Sequence, residues 1–165
     1  MAARPLVLFP DPRLRQVAAP VTHFDAELRH LADDLVDTMR AAPGIGITAP
    51  HIGVPLRLVA LELPGTSVRF YANPAILWHS VETARHAEGS VSMPGHTEEV
   101  ERPARVRVRY QDLDGQVQEE EADGLLAVCH QHEIDQLDGI FWIQRLSRLK
   151  RERLVKRHQK QSAAR

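Results

Sequence analysis

Helical periodicity in this chain is confined to three segments, and the stretch between the first two is strand and turn. Residues 25–41 carry Leu28, Leu31, Leu35, Val36 and Met39 at helical spacing, with Asp25 placed to cap the start and Pro43-Gly44 to end it. A loop rich in Gly and Pro covers 43–51. Residues 56–63 then read as a strand stopped by Pro64-Gly65, and short strands are expected around 68–71 and 75–79. In 105–110, Val106, Val108 and Tyr110 alternate with three arginines, so one face is buried and the other wet. Asp114-Gly115 is a hairpin turn signal, with a return strand at 116–121. Asp123 is placed to cap a second helix over 124–137, stopped by Gly139, and 147–159 reads as a basic third helix. Helix, strands, helix, helix is an α+β order, not an alternating α/β one.

A chain of 165 residues suits one domain, with residues 1–146 as its body and 147–165 as a basic C-terminal helix and tail. The single cysteine, Cys129, cannot form an internal disulfide, which points to a reducing compartment. The apolar run Leu6-Val7-Leu8-Phe9 is cut short by Pro10, too soon for a signal-peptide core. No segment reaches transmembrane length, so a cytoplasmic location and no membrane partner are expected. The net charge of −1 hides an asymmetry: residues 145–165 carry +8 and the rest of the chain −9. Such a block is a solvated helix end or a footprint for nucleic acid; with no aromatic after Trp142, it offers phosphate contact and not base stacking.

The second helix carries His132-Glu133-Ile134-Asp135-Gln136. A complete zinc helix has two histidines four residues apart, both on one metal, with the Glu between them as base on the bound water. Gln136 stands where the second His belongs. Leu125, Cys129, His132 and Gln136 share a helix face, whose apolar members turn His132 and Gln136 toward the interior or a cleft wall. Short matches are common by chance, and an isolated one of this length is more often a core histidine.

Three ordered blocks carry a resemblance to the peptide deformylase family over nearly the whole chain. Gly44-Ile45-Gly46-Ile47-Thr48-Ala49-Pro50-His51 resembles the family's Gly-x-Gly-x-Ala-Ala-x-Gln loop. Glu88-Gly89-Ser90-Val91-Ser92-Met93-Pro94 resembles Glu-Gly-Cys-Leu-Ser followed by an apolar residue and Pro. The helix, from Gln131 to Gly139, resembles Gln-His-Glu-x-Asp-His-Leu-x-Gly. The resemblance implies a deformylase-like α+β fold, with mixed or antiparallel strands around the metal-motif helix and a C-terminal helix. It also implies hydrolysis of the N-formyl group from the formyl-Met terminus of nascent peptides, through Fe²⁺ or Zn²⁺ held by one Cys and two His.

Carried over residue by residue, the departures fall on the chemistry. The metal positions are His132, Ser90 and Gln136; the catalytic positions are Glu133 as base and acid, His51 in place of the oxyanion Gln, the Val91 N–H, and Gly46. The substrate pocket positions are Ile45, His86, Glu88, Leu125, Val128 and Cys129, and Thr97 stands where many relatives carry a substrate-contacting Arg. A neutral hydroxyl and an amide oxygen are poor replacements for a thiolate and an imidazole, so the expectation is no metal, or a weakly held divalent ion. Three readings follow: a retired enzyme that binds N-terminal peptide segments; a hydrolase with rewired ligands, His132 with His51 or His86; or metal-free acyl chemistry at Ser90 with His132 as base. Whether the chain is an enzyme stays open at this level. The basic helix, by the same resemblance, points to the ribosome and rRNA as a partner.

Overall fold

In the computed structural model, residues 2–164 are described. Helix α1 (Ala26–Ala41) starts where the sequence places it, with the Asp25 carboxylate accepting from the Leu28 N–H. Five strands, β1 (Gly46–Thr48), β2 (Leu58–Leu61), β3 (Arg69–His79), β6 (Arg105–Gln111) and β7 (Val117–Asp123), form an antiparallel sheet in the order β1-β2-β3-β6-β7. A second antiparallel pair, β4 (Thr83–Ser90) and β5 (Met93–Pro103), is a long hairpin inserted between β3 and β6. Helices α2 (Gly124–Leu137) and α3 (Arg148–Ala163) complete the α+β fold.

The two helices α1 and α2 cover opposite faces of the large sheet. Leu58, Ala60 and Ala72 pack with Leu28, Leu35 and Met39 of α1, whereas Val59, Leu61 and Tyr71 pack with Cys129 and Leu137 of α2. Both faces of β2 are therefore buried, which is why its sequence is a continuous apolar run and not an alternating one. The third helix is held by Leu154, fully buried with Leu14, Met93, Val100 and Trp142 beneath the hairpin.

Several expectations need correcting. The strand expected over 56–63 is shorter, Leu58–Leu61. The two strands expected at 68–71 and 75–79 are one, interrupted in register between Ala72 and Ala75. Asn73 takes a φ of 50° there. Its side chain accepts from the Val21 N–H and donates to the Val21 carbonyl and to Gln111, which holds the irregularity together. The hairpin β4–β5 has no counterpart in the sequence reading. Its buried positions on β5 are Met93, His96, Val100 and Arg102, two of them polar and unevenly spaced, so no hydrophobic alternation advertises the strand. Asp123 flanks α2 as expected, but its side chain makes no capping hydrogen bond.

Candidate active site

Helix α2 is buried nearly all round although it carries five buried polar side chains between His130 and Gln136. Burying such groups is costly unless each finds a partner. His130 pairs with Glu120 at 2.6 Å, and Gln131 donates to the Pro103 and Ala127 carbonyls. Asp135 accepts from Arg102 and Arg145, and Gln136 donates to the Leu14 carbonyl at 2.9 Å. Glu133 is the exception: its Oε1 is buried with no hydrogen-bond partner. Buried orphans of this kind are rare and mark strain or function.

Glu133 faces a cleft of about 520 Å³. The loop before β1 forms one wall with Ile45 and Gly46, and a side chain at Gly46 would stand 2.8 Å from the Glu133 carboxylate. The turn of the β4–β5 hairpin forms the facing wall with Glu88, Ser90 and Val91. From α2, Leu125, Val128 and Cys129 give an apolar side, and His132 and Glu133 give a polar floor together with His51. Burial raises the Cys129 thiol to about 12, the Glu133 and Glu88 charges acting in the same direction, so it is a neutral, inert wall residue.

A buried charge relay supports the floor. His132 Nδ1 lies 2.8 Å from Glu88 Oε1, and Arg102 makes a two-bond clamp on the same carboxylate at 2.6 and 3.0 Å. Arg102 reaches on to Asp135 at 2.9 Å, and Arg145 clamps Asp135 from the surface. Burial alone would raise the Glu88 pKa; the hydrogen bonds from His132 and Arg102 outweigh it and hold the carboxyl ionised. Burial would likewise lower His132, but the Glu133 and Glu88 carboxylates prevail and raise it. For Glu133 burial is the largest effect and raises its pKa. With Nδ1 committed to Glu88, His132 can offer only Nε2 to the cleft, 4.0 Å from Glu133 Oε1.

The oxyanion position is built differently. His51 is 1% exposed, in a 3-10 turn, Ala49–Ile52. Its Nδ1 accepts from the Thr48 N–H at 2.9 Å, in a capping box where His51 takes the place usual for Glu or Gln. Burial, with the charge at His132, lowers its pKa to about 3, so the ring is neutral.

The cleft thus gathers every catalytic position named from the sequence, two of the three metal positions, and all but one of the pocket positions. Two residues fall outside it. Gln136 is buried against Leu14, because its amide is the partner of that backbone carbonyl. His86 lies two residues down β4, opposite Val100 in the hairpin, and does not line the cleft. Ser90 lines the cleft, but its Oγ accepts from the Ser92 N–H at 3.1 Å and no hydrogen bond joins it to His132.

This donor set does not fit the metal that the resemblance implies. One imidazole nitrogen and one neutral hydroxyl remain at the cleft, and the amide position has turned away. Among the described residues no group of three or more His, Cys, Asp or Glu side chains is assembled for a metal. The rewired set fares no better: His86 is elsewhere, and the lone pair of His51 Nδ1 is taken by the Thr48 N–H, leaving the ring proton on Nε2.

Sequence reasoning missed the relay behind Glu88. Arg102 and Arg145 lie in segments without motif character, and only their convergence on Glu88 and Asp135 gives them a role. The hold of Thr48 on His51 did carry a signal, a Thr-x-x-His in the capping-box pattern directly after β1.

The family model for polypeptide deformylases matches residues 3–152. A peptide deformylase-like protein of Bradyrhizobium diazoefficiens is 68% identical over 163 residues, covering 98% of this chain and 96% of its own length. A peptide deformylase of the same strain is 45% identical over 168 residues, with 97% of each chain covered. The crystal structure of a peptide deformylase from Legionella pneumophila superposes with a TM-score of 0.92 at 37% identity, covering 99% of this chain and 97% of that one. With the fold and the cleft in agreement, this chain belongs to the polypeptide deformylase family, a family of metalloenzymes acting on the N-termini of nascent peptides.

Proposed function

We propose that this chain keeps the deformylase groove as a binding site for N-terminal segments of nascent peptides, and that metal-dependent deformylation is weak or lost. The observation that carries this reading is Gln136. The helix position that needs a ligand holds an amide donating to the Leu14 carbonyl, so binding a metal there would cost a buried backbone partner. Ser90, held by the Ser92 N–H, and the single free nitrogen of His132 point the same way. The apolar side formed by Ile45, Leu125 and Val128 suits a Met-like first side chain. That one Bradyrhizobium strain holds both a peptide deformylase and a peptide deformylase-like relative supports a division of labour.

The test combines metal analysis of the purified chain with a formyl-Met tripeptide, followed for both binding and hydrolysis. Saturable binding without turnover is the expected result. Tight stoichiometric zinc or iron accompanied by turnover would overturn it. A second reading draws on the His132–Glu88 hydrogen bond, which orients His132 as a base would be oriented beside Ser90. It predicts a hydrolysis insensitive to chelator and abolished by Ser90→Ala; without both results it falls.

Helix α3 exposes Arg148, Arg153, Lys156, Arg157 and Lys160, and we assign them to phosphate contact with rRNA. If these five side chains meet phosphates, ribosome binding weakens roughly 10²-fold between about 50 and 200 mM salt. Sedimentation with ribosomes across that range measures it; no association at the low-salt end would remove the assignment. No helix among the described residues is long and apolar enough to cross a membrane.

A further inference from the structure

The large sheet has two outer strands, and each is guarded. Strand β1 is covered, with Ile47 and Thr48 fully buried, and β7 carries Glu119, Glu120, Glu121 and Asp123 along its length. Charges on an outer strand discourage other chains from adding to it. A third edge lies within the sheet. Strand β2 pairs with β3 only at residues 69–72, so residues 75–79 of β3 have β6 on one side and, among the described residues, no strand on the other. All five are exposed, because α1 packs on Ala72 and α2 on Val106 and Val108, short of this end. Here no charge guards the edge: residues 74–81 contain no Asp, Glu, Lys or Arg. Ile76, Leu77 and Trp78 are 36%, 43% and 43% exposed, and Val81, in the turn to β4, is 99% exposed. These four side chains present on the order of 400 Å² within six residues, the size of patch that marks an interaction site on a monomer. The register irregularity between Ile76 and Trp78 interrupts the strand edge, so the surface offers side-chain packing and not a continuous ladder.

Two charges border the patch. Glu82 follows Val81, and the Arg105 guanidinium lies over the Trp78 ring, 5.8 Å from its centroid. Both residues are exposed, and among the described residues neither makes an ion pair. An exposed Trp with an Arg beside it is the composition of an interface hot spot. A border holding one unpaired charge of each sign is self-complementary: a two-fold axis brings each charge to its opposite on a second copy, whereas a partner of one sign would meet only one of them. We infer that this surface is a two-fold interface between copies of this chain. Trp78 of each copy packs on Leu77 and Val81 of the other, and Glu82 pairs with Arg105 across the axis. The apolar centre is about half of the roughly 800 Å² per partner of a standard interface, so the dimer is reversible, in the micromolar range. Strand β4 leads away from the patch to Ser90 at the cleft, roughly 25 Å along an extended chain, so both clefts stay open in the dimer.

Sedimentation velocity of the intact chain from about 1 to 300 μM spans the range expected of an interface this size. The 18.6 kDa species should give way to one of twice that mass as concentration rises. Trp78→Ser should weaken dimerisation about 30-fold or more, the effect of losing a hot-spot side chain. Val81→Asp should act in the same direction from a position too exposed to disturb the core. A charge swap identifies the partner. Glu82→Arg alone and Arg105→Glu alone should each remain monomeric, since like charges then face each other across the axis. An equimolar mixture of the two variants should dimerise again, because every charge meets its opposite; recovery on mixing also shows that both variants are folded. A chain that stays monomeric over the whole range would overturn the inference. So would a dimer indifferent to Val81→Asp, a mixture that associates no better than its components, or a mass that keeps growing past two copies.

Discussion

Arg102→Met should cost about 3–5 kcal/mol of stability, the loss typical of breaking a buried ion pair by removing one partner. Arg102 is 5% exposed and makes three hydrogen bonds to two carboxylates, Glu88 and Asp135. Methionine can fill part of the space, but it neutralises neither charge. Asp135 keeps Arg145, a partner reaching in from the surface, whereas Glu88 keeps only His132. The destabilisation therefore arises mostly at Glu88. In a chain of this length it lowers the melting temperature by roughly 6–20 °C, measured by calorimetry or circular dichroism. The double substitution Glu88→Gln with Arg102→Met should recover part of the loss, because the uncompensated buried charge is gone. A single variant as stable as the parent would mean that the relay is not what holds the hairpin to α2. Strand β5, whose inward side offers few apolar contacts, would then need another anchor.

That relay also marks where sequence reading stops. The elements packed on the large sheet were legible because their burial writes a period into the sequence: 3.6 residues along α1, two along β6, and a continuous apolar run in β2, covered on both faces. The β4–β5 hairpin is fastened by ions and hydrogen bonds as well as by Met93 and Val100, with His96 and Arg102 turned inward beside them, and no periodicity records such a mixture. At the site, the motif blocks identified the residues facing the cleft, since backbone loops and α2 place them whether or not their chemistry survives. They could not identify what Gln136 does. On a helical wheel it belongs beside His132, four residues on, but its side chain found a better partner in the Leu14 carbonyl, 122 positions away in sequence. His86 misleads for a related reason: it is close to Glu88 along the strand, yet the cleft ends before it. Spacing fixes which turn of an element a residue occupies. The partners at that turn come from elsewhere in the chain.

Ser90→Cys combined with Gln136→His should convert the cleft into a metal site and give formyl-Met peptide hydrolysis about 10³-fold or more above the parent chain. The backbone already places both positions: Ser90 lines the cleft at the hairpin turn, and residue 136 is one helical turn beyond His132 on α2. A thiolate adds the soft anionic donor that the hydroxyl lacks, and a second imidazole completes a tetrahedral set with one open position. Glu133 stands ready as the base, its buried Oε1 without a hydrogen-bond partner, and the Glu88 hydrogen bond holds His132 with Nε2 toward the cleft. Two costs oppose the gain. The Leu14 carbonyl loses its donor, at about 1–3 kcal/mol. Binding also stays weak where Thr97 stands in place of the arginine of many relatives, so the improvement should appear in kcat and not in KM. Each single variant, still one ligand short, should bind metal poorly and remain near the parent in rate. Metal content by atomic absorption separates the outcomes. A folded double variant with stoichiometric metal but no turnover would place the lost activity in the oxyanion region around His51. One that binds no metal would mean that the walls of the cleft, not only its ligands, have moved away from the geometry of the enzyme.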